Sequence, residues 1–300
     1  MPISPSPAVR RAGDLLGHLA RHPTASFSVS ELARLVDVPR ATCDAILQAL
    51  AEHGFVTRRA DRRYEIGPGC LALGDAARAA NPVLQAAAVE AEALARGTAS
   101  CAAVCVRDAD EARVAEVFDF APPFGVRTGA GQSIPLVPPF GAVFVAWDRA
   151  DAERWLAEAQ SAFGELQLER CRRALDAVRR RGYSVTIATP RSPELIQALE
   201  TLANRPGGQD AQDARAARDA IMREMQHSEC LAGDLDDDGA IRLSQMSAPV
   251  SDHAGRTVAA IMLLGPEYEI TSTELRALGE QLVAGATRAT ANAAGRAAHA

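Results

Sequence analysis

The 300-residue sequence contains no lysine, so all 32 of its Lys and Arg positions are arginine. A phosphate-binding P-loop and a Schiff-base enzyme both need a lysine, and both classes are therefore excluded. The six cysteines form no CxxC motif, which favours reduced thiols over a disulfide framework. No run reaches the roughly 18 apolar residues of a membrane span, and the N-terminus lacks the apolar stretch of a secretion signal. We therefore expect a cytoplasmic protein without membrane contact.

Positive charge is concentrated near the N-terminus. Residues 1–66 contain nine arginines and seven acidic residues, a net charge of +2, whereas the whole chain has a net charge of -6. The remainder therefore carries -8. Four of these arginines lie in one short segment, "FVTRRADRRYEI" at 55–66. A basic N-terminal region on an acidic body predicts that only this region contacts a polyanion.

Three helices are predicted before this segment. Leucines at helical spacing indicate the first within 8–22, and "SVSE" at 28–31 is a capping box that begins the second. The third, predicted over 40–54, keeps Cys43, Ile46, Leu47 and Leu50 inward and ends at Gly54. Three helices followed by a basic hairpin are typical of a winged helix-turn-helix, whose third helix enters the major groove. For the hairpin alone, a solvated charged surface is the alternative.

The outward residues of the third helix are candidates for base contacts, and the hairpin arginines for contacts with phosphates or the minor groove. Asp44 is expected to weaken phosphate binding unless it accepts a hydrogen bond from cytosine, and the alanines can contact only thymine methyl groups. Sequence-specific recognition by this helix is therefore expected to be modest. The DNA-binding candidates are Arg40, Ala41, Thr42, Asp44, Ala45, Gln48, Arg58, Arg59, Arg62 and Arg63.

The segment "SVSELARLVDVPRATCDAILQALAEHGFVTRRADRRYEIGPGCLALG" at 28–74 resembles the DNA-binding region of the IclR family of bacterial transcriptional regulators. It shares the SELA start, the turn with proline, the EHGFV motif, the wing and the final YxxGPxxLxLG pattern. It departs from the family at Asp44 and Ala45, where a basic or polar pair is usual. The resemblance implies an α+β fold with a winged helix-turn-helix domain at 1–76, a linker helix at 77–97 and a GAF-like effector-binding domain with an antiparallel sheet at 98–295. That domain has an insertion at about 188–228.

Patterns in the rest of the chain fit this organisation. Alanine-rich 75–97 predicts a helix interrupted at Asn81-Pro82, and the alternation within 98–119 predicts a hairpin with buried thiols at Cys101 and Cys105. The segment "MSAPVSDHAGRTVAAIMLLGPE" at 246–267 resembles the closing strands of the IclR ligand domain, and 270–295 predicts a final helix.

The resemblance also implies a small-molecule effector. In the family, the proline-leucine loop within 131–147 opens a helix that borders the effector pocket, and polar residues on the last strands line it. Carried over by position, the effector-binding residues are Phe140, Gly141, Ala142, Thr186, Gln245, Met262 and Leu264. This wall is largely apolar, so the effector is expected to be rather apolar. A helix start at Gly141 could also bind an anion. The alternative is a Pro-rich turn before a core helix, with Met262 and Leu264 as core residues.

The sequence predicts no catalytic residue, cofactor or metal site. "GDLDDDGAIRLSQ" at 233–245 has calcium-loop spacing, but Gln245 replaces the bidentate glutamate. His18 and His22 have no third zinc ligand and are expected at the surface. "GYSVT" at 182–186 lacks the second glycine of a nucleophile elbow. The six arginines within 168–185 are more typical of a solvated helix than of a second DNA contact.

The leading hypothesis is a ligand-responsive transcriptional regulator, either repressor or activator, that binds double-stranded DNA. A single recognition helix reads few base pairs, so we expect a homodimer or a dimer of dimers. Effector binding would change the angle between the paired DNA-binding domains through the linker helix. One alternative is a regulator that acts through protein-protein contacts with weak or no specific DNA readout, and another is an enzyme.

Overall fold

The computed structural model describes residues 6–122, 128–163, 165–188, 229–232, 239–266 and 268–297. Within them the chain divides into two compact units, with the boundary between Ala80 and Asn81. The expected insertion at about 188–228 and the acidic residues of the calcium-like loop at 233–238 lie outside the described residues.

Among its described residues, the N-terminal unit contains four helices and a two-stranded hairpin. The elements are α1 Pro7–Arg21, α2 Val29–Leu35, α3 Arg40–Glu52, β1 Val56–Arg58, β2 Tyr64–Ile66 and α4 Gly69–Ala79. Helix α2 begins at the predicted capping box: the Ser28 amide donates to the Glu31 carboxylate at 2.6 Å, and the Glu31 amide donates to the Ser28 hydroxyl at 3.3 Å. The hairpin pairs Arg58 with Tyr64, and Tyr64 exchanges two backbone hydrogen bonds with Phe27.

One core holds the N-terminal unit together. Leu15 and Leu19 from α1, Leu47 from α3 and Tyr64 from β2 are at most 1 % exposed. His18 is also buried, and its ring meets Phe27 edge-on with centroids 4.7 Å apart, so the expectation of a surface histidine is wrong at this position. The helical pattern around Leu15 and Leu19 brings His18 onto the inner face of α1, where an aromatic ring is its neighbour.

The end of α3 is joined closely to the hairpin and to α4. Gly54 adopts a left-handed backbone with φ of 70°, as the predicted helix end at this glycine requires. A side chain at Gly67 would place its Cβ only 2.2 Å from the carbonyl oxygen of Gly54. The two segments can therefore meet only because residue 67 is glycine.

The C-terminal unit is built on a seven-stranded antiparallel sheet. Its elements in chain order are α5 Pro82–Thr98, β3 Cys101–Asp108, β4 Glu111–Asp119, β5 Ser133–Pro135, α6 Ala142–Val145, α7 Arg149–Phe163, α8 Glu165–Arg181, β6 Ser184–Ala188, β7 Glu229–Leu231, β8 Leu243–Ser251, β9 Thr257–Leu264 and α9 Ser272–Ala297. The strand order is β5-β4-β3-β9-β8-β6-β7. The expected α+β fold with an antiparallel sheet is confirmed. No described helix combines the length and apolarity that a membrane crossing needs.

Alternating strand residues place a separate core on each face of the sheet. Val104, Ile261 and Leu263 pack with α5 and α9 on one face, while Ala103 and Met262 pack with α6 and the loop before it on the other. Helices α6, α7 and α8 share a further apolar cluster. The second face therefore brings the start of α6 against the central strands, which is where the expected effector residues lie.

Candidate nucleic-acid interface and candidate effector pocket

Helix α3 presents most of the expected base-contact residues on one surface. Its inward side is closed by Cys43, Leu47 and Leu50, which are all buried in the core of the unit. This inner spacing turns the remaining positions outward, as a helical period requires. Asp44 is half-buried, and the other predicted positions are exposed: Arg40, Ala41, Thr42, Ala45 and Gln48.

Asp44 has partners within its own unit. Its carboxylate accepts a hydrogen bond from the Gln48 side-chain amide at 3.0 Å, one helical turn away. Burial raises the pKa of the Tyr64 hydroxyl, Arg58 opposes the shift, and the negative charge of Asp44 adds to it. The Asp44 side chain on α3 therefore interacts with both Gln48 and Tyr64 of β2.

The wing, defined as residues 56–66, divides its four arginines between two environments. Arg59 pairs with Glu65 at 3.0 Å, and Arg63 pairs with Glu31 at 3.2 Å. Arg58 lies over the Tyr64 ring at 5.8 Å from its centroid. The side chains of Arg58 and Arg62 form no hydrogen bond or ion pair with any part of the chain that the structure describes.

Arg63 holds the wing to the rest of the unit. Its Nε and Nη2 donate to the Ser26 carbonyl at 3.0 and 2.6 Å, and Nη2 also reaches Glu31. Partial burial of Glu31 opposes ionisation, but hydrogen bonds from Ser28 and the charge of Arg63 lower the pKa of this carboxyl below its ordinary value. Arg63 therefore belongs to the hydrogen-bond network of the unit, in contrast with Arg62.

The arginines of α8 bond within the C-terminal unit. Arg179 donates to the Ala146 carbonyl at 2.6 Å, and Arg181 donates to the carbonyls of Tyr183 and Ala232 at 2.7 and 3.1 Å. These contacts favour a structural role for both side chains over a second DNA contact.

Six of the seven expected effector residues line one small cavity on the α6 face of the sheet. Phe140, Gly141 and Ala142 border it from the start of α6, and Thr186, Gln245 and Met262 border it from β6, β8 and β9. The cavity measures about 30 Å³, room for a water molecule or two. Organic ligands usually occupy sites of several hundred Å³.

Leu264 lies elsewhere. It borders a larger cavity of about 600 Å³, which is lined by the connection between α5 and β3, by the ends of β8 and β9, by the segment after β9 and by α9. In the register of the sheet, Leu264 pairs with Gln245, but on β9 the residues that line the small cavity are Ala260 and Met262.

Polar side chains beyond the expected ones line the small cavity. Ser184 and Ser247 also line it, and the Ser184 hydroxyl donates to the Ser247 carbonyl at 3.4 Å. Both were missed, although Ser184 and Thr186, and likewise Gln245 and Ser247, are polar residues two apart in apolar strands, and such residues share one face. The wall therefore combines four side chains with hydroxyl or amide groups with a majority of apolar residues.

The helix that begins beside the cavity is short. Helix α6 spans only Ala142–Val145, and Gly141 before it has φ of 80°. Four residues supply too little aligned backbone for the expected anion site at Gly141. The indole of Trp155 instead donates to the Phe140 carbonyl at 2.7 Å and fixes the loop before α6.

Two buried thiols lie on this face of the sheet. Complete burial raises the pKa of Cys105 to about 12, and Cys105 lines the small cavity with its thiol protonated. Cys101 is buried two strand positions from Ala103 on the same face. Among the described residues, no three His, Cys, Asp or Glu side chains are arranged to hold a metal ion.

Comparisons with known proteins agree with this geometry. Residues 8–60 match the IclR helix-turn-helix domain. No match was found among curated proteins. A solved IclR transcriptional regulator from Alicyclobacillus acidocaldarius is 23 % identical with a TM-score of 0.67, over 97 % of this chain and 100 % of that one. A solved IclR-type regulator from Silicibacter sp. TM1040 is 17 % identical with a TM-score of 0.65, over 95 % and 96 % of the two chains.

A third solved structure contains a ligand. It is an IclR homolog from Microbacterium hydrocarbonoxydans complexed with 4-hydroxybenzoate, 15 % identical with a TM-score of 0.59, over 94 % of this chain and 99 % of that chain. These likenesses establish a shared fold along nearly the whole chain, and the matched domain establishes the kind of DNA-binding unit. The resemblance inferred from the motifs at 28–74 is therefore confirmed: residues 8–60 match the IclR helix-turn-helix domain, and the chain shares the fold of solved IclR-type regulators along nearly its whole length.

Proposed function

We propose that this regulator binds an operator through the outward surface of α3 and the wing. The observation that supports the proposal is the set of three arginines whose guanidinium groups have no hydrogen bond or ion pair among the described residues. Arg40 lies at the start of α3, and Arg58 and Arg62 lie on the wing. Free guanidinium groups beside an exposed recognition helix are suited to phosphate contacts, which supply affinity and register.

Gel-shift titration of the full chain on fragments flanking its own gene tests this proposal. Arg62→Ala should weaken binding to every sequence and reduce the dependence of log K on log salt by about 0.9, the contribution of one phosphate contact. Arg149→Ala is the matched control, because that side chain is 94 % exposed in the C-terminal unit and pairs with Glu153. Equal affinities and equal salt dependence for wild type and Arg62→Ala would contradict the assignment. Absence of any protected site in footprinting would instead favour action through protein partners.

We also propose that the protein self-associates. Helix α4 buries none of its residues, and Leu71 and Leu73 on it are 70 % and 56 % exposed. Large apolar side chains on an otherwise exposed helix mark a contact surface. Sedimentation equilibrium should give a dimer or tetramer, and Leu71→Glu with Leu73→Glu should lower the mass. An unchanged mass would place the contact elsewhere.

The proposed effector site is the small cavity between α6 and strands β6, β8 and β9. A hydroxyl of Thr186 and an amide of Gln245 converge there with the apolar side chain of Met262. This arrangement suits a compact molecule with a hydrogen-bonding group and an apolar part. Because the cavity is about 30 Å³, binding requires that it widen.

Thermal-shift measurements test the effector site. A panel of small aromatic and aliphatic carboxylic acids, including 4-hydroxybenzoate, is screened for a raised melting temperature and for a change in operator affinity. Thr186→Val should reduce the shift with little change in the apo melting temperature, because valine matches threonine in shape. Leu278→Ala, in the larger cavity, is the control. If Leu278→Ala abolishes the ligand-induced rise in melting temperature and Thr186→Val keeps it, the effector binds in the larger cavity instead.

A further inference from the structure

The side chain of Gln48 is held in one orientation on the exposed surface of α3. Its Nε2 donates to Oδ2 of Asp44 at 3.0 Å, and Asp44 lies one turn closer to the helix start. A carboxylate has no proton to donate, so only the nitrogen end of the carboxamide can face it. Asp44 therefore selects one of the two orientations of the Gln48 carboxamide, which are otherwise nearly equivalent.

This orientation leaves a defined pattern for a ligand. One N–H of Gln48 is used by Asp44, and the second N–H and Oε1 stay available on the exposed side. Adenine presents an acceptor at N7 and a donor at N6 in the major groove, and a carboxamide can satisfy both at once. Guanine presents two acceptors there, N7 and O6, so Oε1 would face an oxygen and one contact would be lost.

We propose that Asp44 positions the Gln48 carboxamide so that Gln48 reads an adenine in the operator. The inference rests on the proposed function, since it needs α3 in the major groove. The Asp44 carboxylate, on α3, interacts with Tyr64 of β2 and accepts the hydrogen bond from Gln48 at 3.0 Å, so contacts within the unit fix its position. Asp44 is then a positioning residue. A contact between Asp44 and cytosine is not needed to explain an acidic residue on the recognition helix.

A helix-stabilising pair is the competing explanation. Gln and Asp four residues apart stabilise a helix even where nothing binds. That role affects helix stability equally whatever DNA is present, and it changes no base preference. Specificity at a single base pair is therefore the measurement that separates the two explanations.

Selection of duplexes from a randomised library by the full chain supplies that measurement, with wild type, Gln48→Ala, Asp44→Ala and Asp44→Asn compared under the same salt. Wild type should select A·T at one position of each half-site. Gln48→Ala should lose about tenfold in preference at that position and at no other. Asp44→Ala should weaken the adenine preference there, because the freed carboxamide can turn over and then presents its donor and acceptor in the reverse order. Asp44→Asn should be intermediate, since asparagine can accept from or donate to Gln48.

Three outcomes decide the matter. If wild type selects no duplex, the proposed function fails. If wild type selects sites and Gln48→Ala selects the same ones, the proposed function stands and the inference is overturned. If Gln48→Ala changes one position while Asp44→Ala matches wild type, Gln48 reads the base and the positioning role of Asp44 is overturned. Glu52→Ala, an exposed change at the end of α3, should leave every preference unchanged, and melting curves confirm that each variant is folded.

Discussion

Separate substitutions of Arg63 and Arg62 test whether neighbouring arginines of the wing have different roles. Arg63 donates twice to the Ser26 carbonyl and pairs with Glu31 at 3.2 Å, and its side chain is 38 % exposed. Hydrogen bonds of a charged group contribute about 1.5–3 kcal/mol when buried, and solvent screening lowers this at a partly exposed site. We expect Arg63→Ala to reduce the free energy of unfolding of the N-terminal unit by about 1–2 kcal/mol.

Arg62 should behave in the opposite way. Its side chain has no hydrogen bond or ion pair among the described residues, and its backbone is left-handed with φ of 63°. That conformation costs a residue with a side chain about 1 kcal/mol relative to glycine. Arg62→Ala should therefore leave stability within about 0.5 kcal/mol, and Arg62→Gly should raise it by about 0.4–1 kcal/mol. Both should weaken DNA binding.

The assay must report on the N-terminal unit alone. Both tryptophans, Trp147 and Trp155, lie in the C-terminal unit, so their fluorescence does not follow this transition. Amide hydrogen exchange of peptides covering 24–35 and 55–66 reports on the unfolding of the N-terminal unit directly. A loss of 1–2 kcal/mol corresponds to roughly 5- to 30-fold faster exchange in Arg63→Ala. Exchange equal to wild type in that variant, or equally fast exchange in Arg62→Ala, would refute the division of roles.

Three further predictions concern other parts of the molecule. A methyl group at Gly279 would lie 2.2 Å from the ring of Tyr183, so Gly279→Ala should reduce the free energy of unfolding by about 1–3 kcal/mol and lower the melting temperature accordingly. Gly285→Ala on the same helix is the control: its methyl group would make ordinary contacts of 3.7 Å, and this change should be neutral or stabilising. With its pKa raised to about 12, Cys105 should resist iodoacetamide at pH 8 until the protein unfolds, as peptide mass spectrometry can show. The pKa of the Glu31 carboxyl is lower in the folded protein than its ordinary value of 4.5, so the stability that this carboxylate contributes is fully present above pH 4.5. That stability is lost as the pH falls through the lowered pKa. Calorimetry should therefore show the difference in stability between wild type and Glu31→Gln shrinking over that acidic range.

Features set by neighbours along the chain could be predicted from the sequence. The capping box at Ser28 and Glu31 has both expected hydrogen bonds, and the break at Asn81 is present, where its side chain caps α5. The predicted final helix begins after Thr271, whose hydroxyl accepts from the Glu274 amide and so caps it. Each of these capping signals needs only three or four consecutive residues, so the amino-acid sequence alone is sufficient to identify it.

Contacts between distant residues could not be predicted in this way. The bond from Arg63 to Ser26 spans 37 positions, and no local pattern marks Ser26 as its partner. The small cavity likewise depends on how β6, β8 and β9 align, which brings Ser184 opposite Ser247 and leaves Leu264 outside. Alternation along each strand identifies a face, whereas the register between strands decides which residues of that face meet.

A count of the basic residues in the wing overstates the positive charge that is free to bind DNA. Arg59 is opposed by Glu65 and Arg63 by Glu31, so two of the four positive charges are neutralised before DNA arrives. If only Arg58 and Arg62 release counterions, replacing both by alanine should reduce the salt dependence by about 1.8 per wing, and replacing Arg59 should change it little. Titrations of these variants between 50 and 200 mM salt, the usual range for such slopes, measure the difference. Equal reductions in salt dependence on replacing Arg59 and Arg62 would mean that the internal ion pairs open when DNA binds. The pairing seen in the free protein would then not apply to the DNA-bound wing.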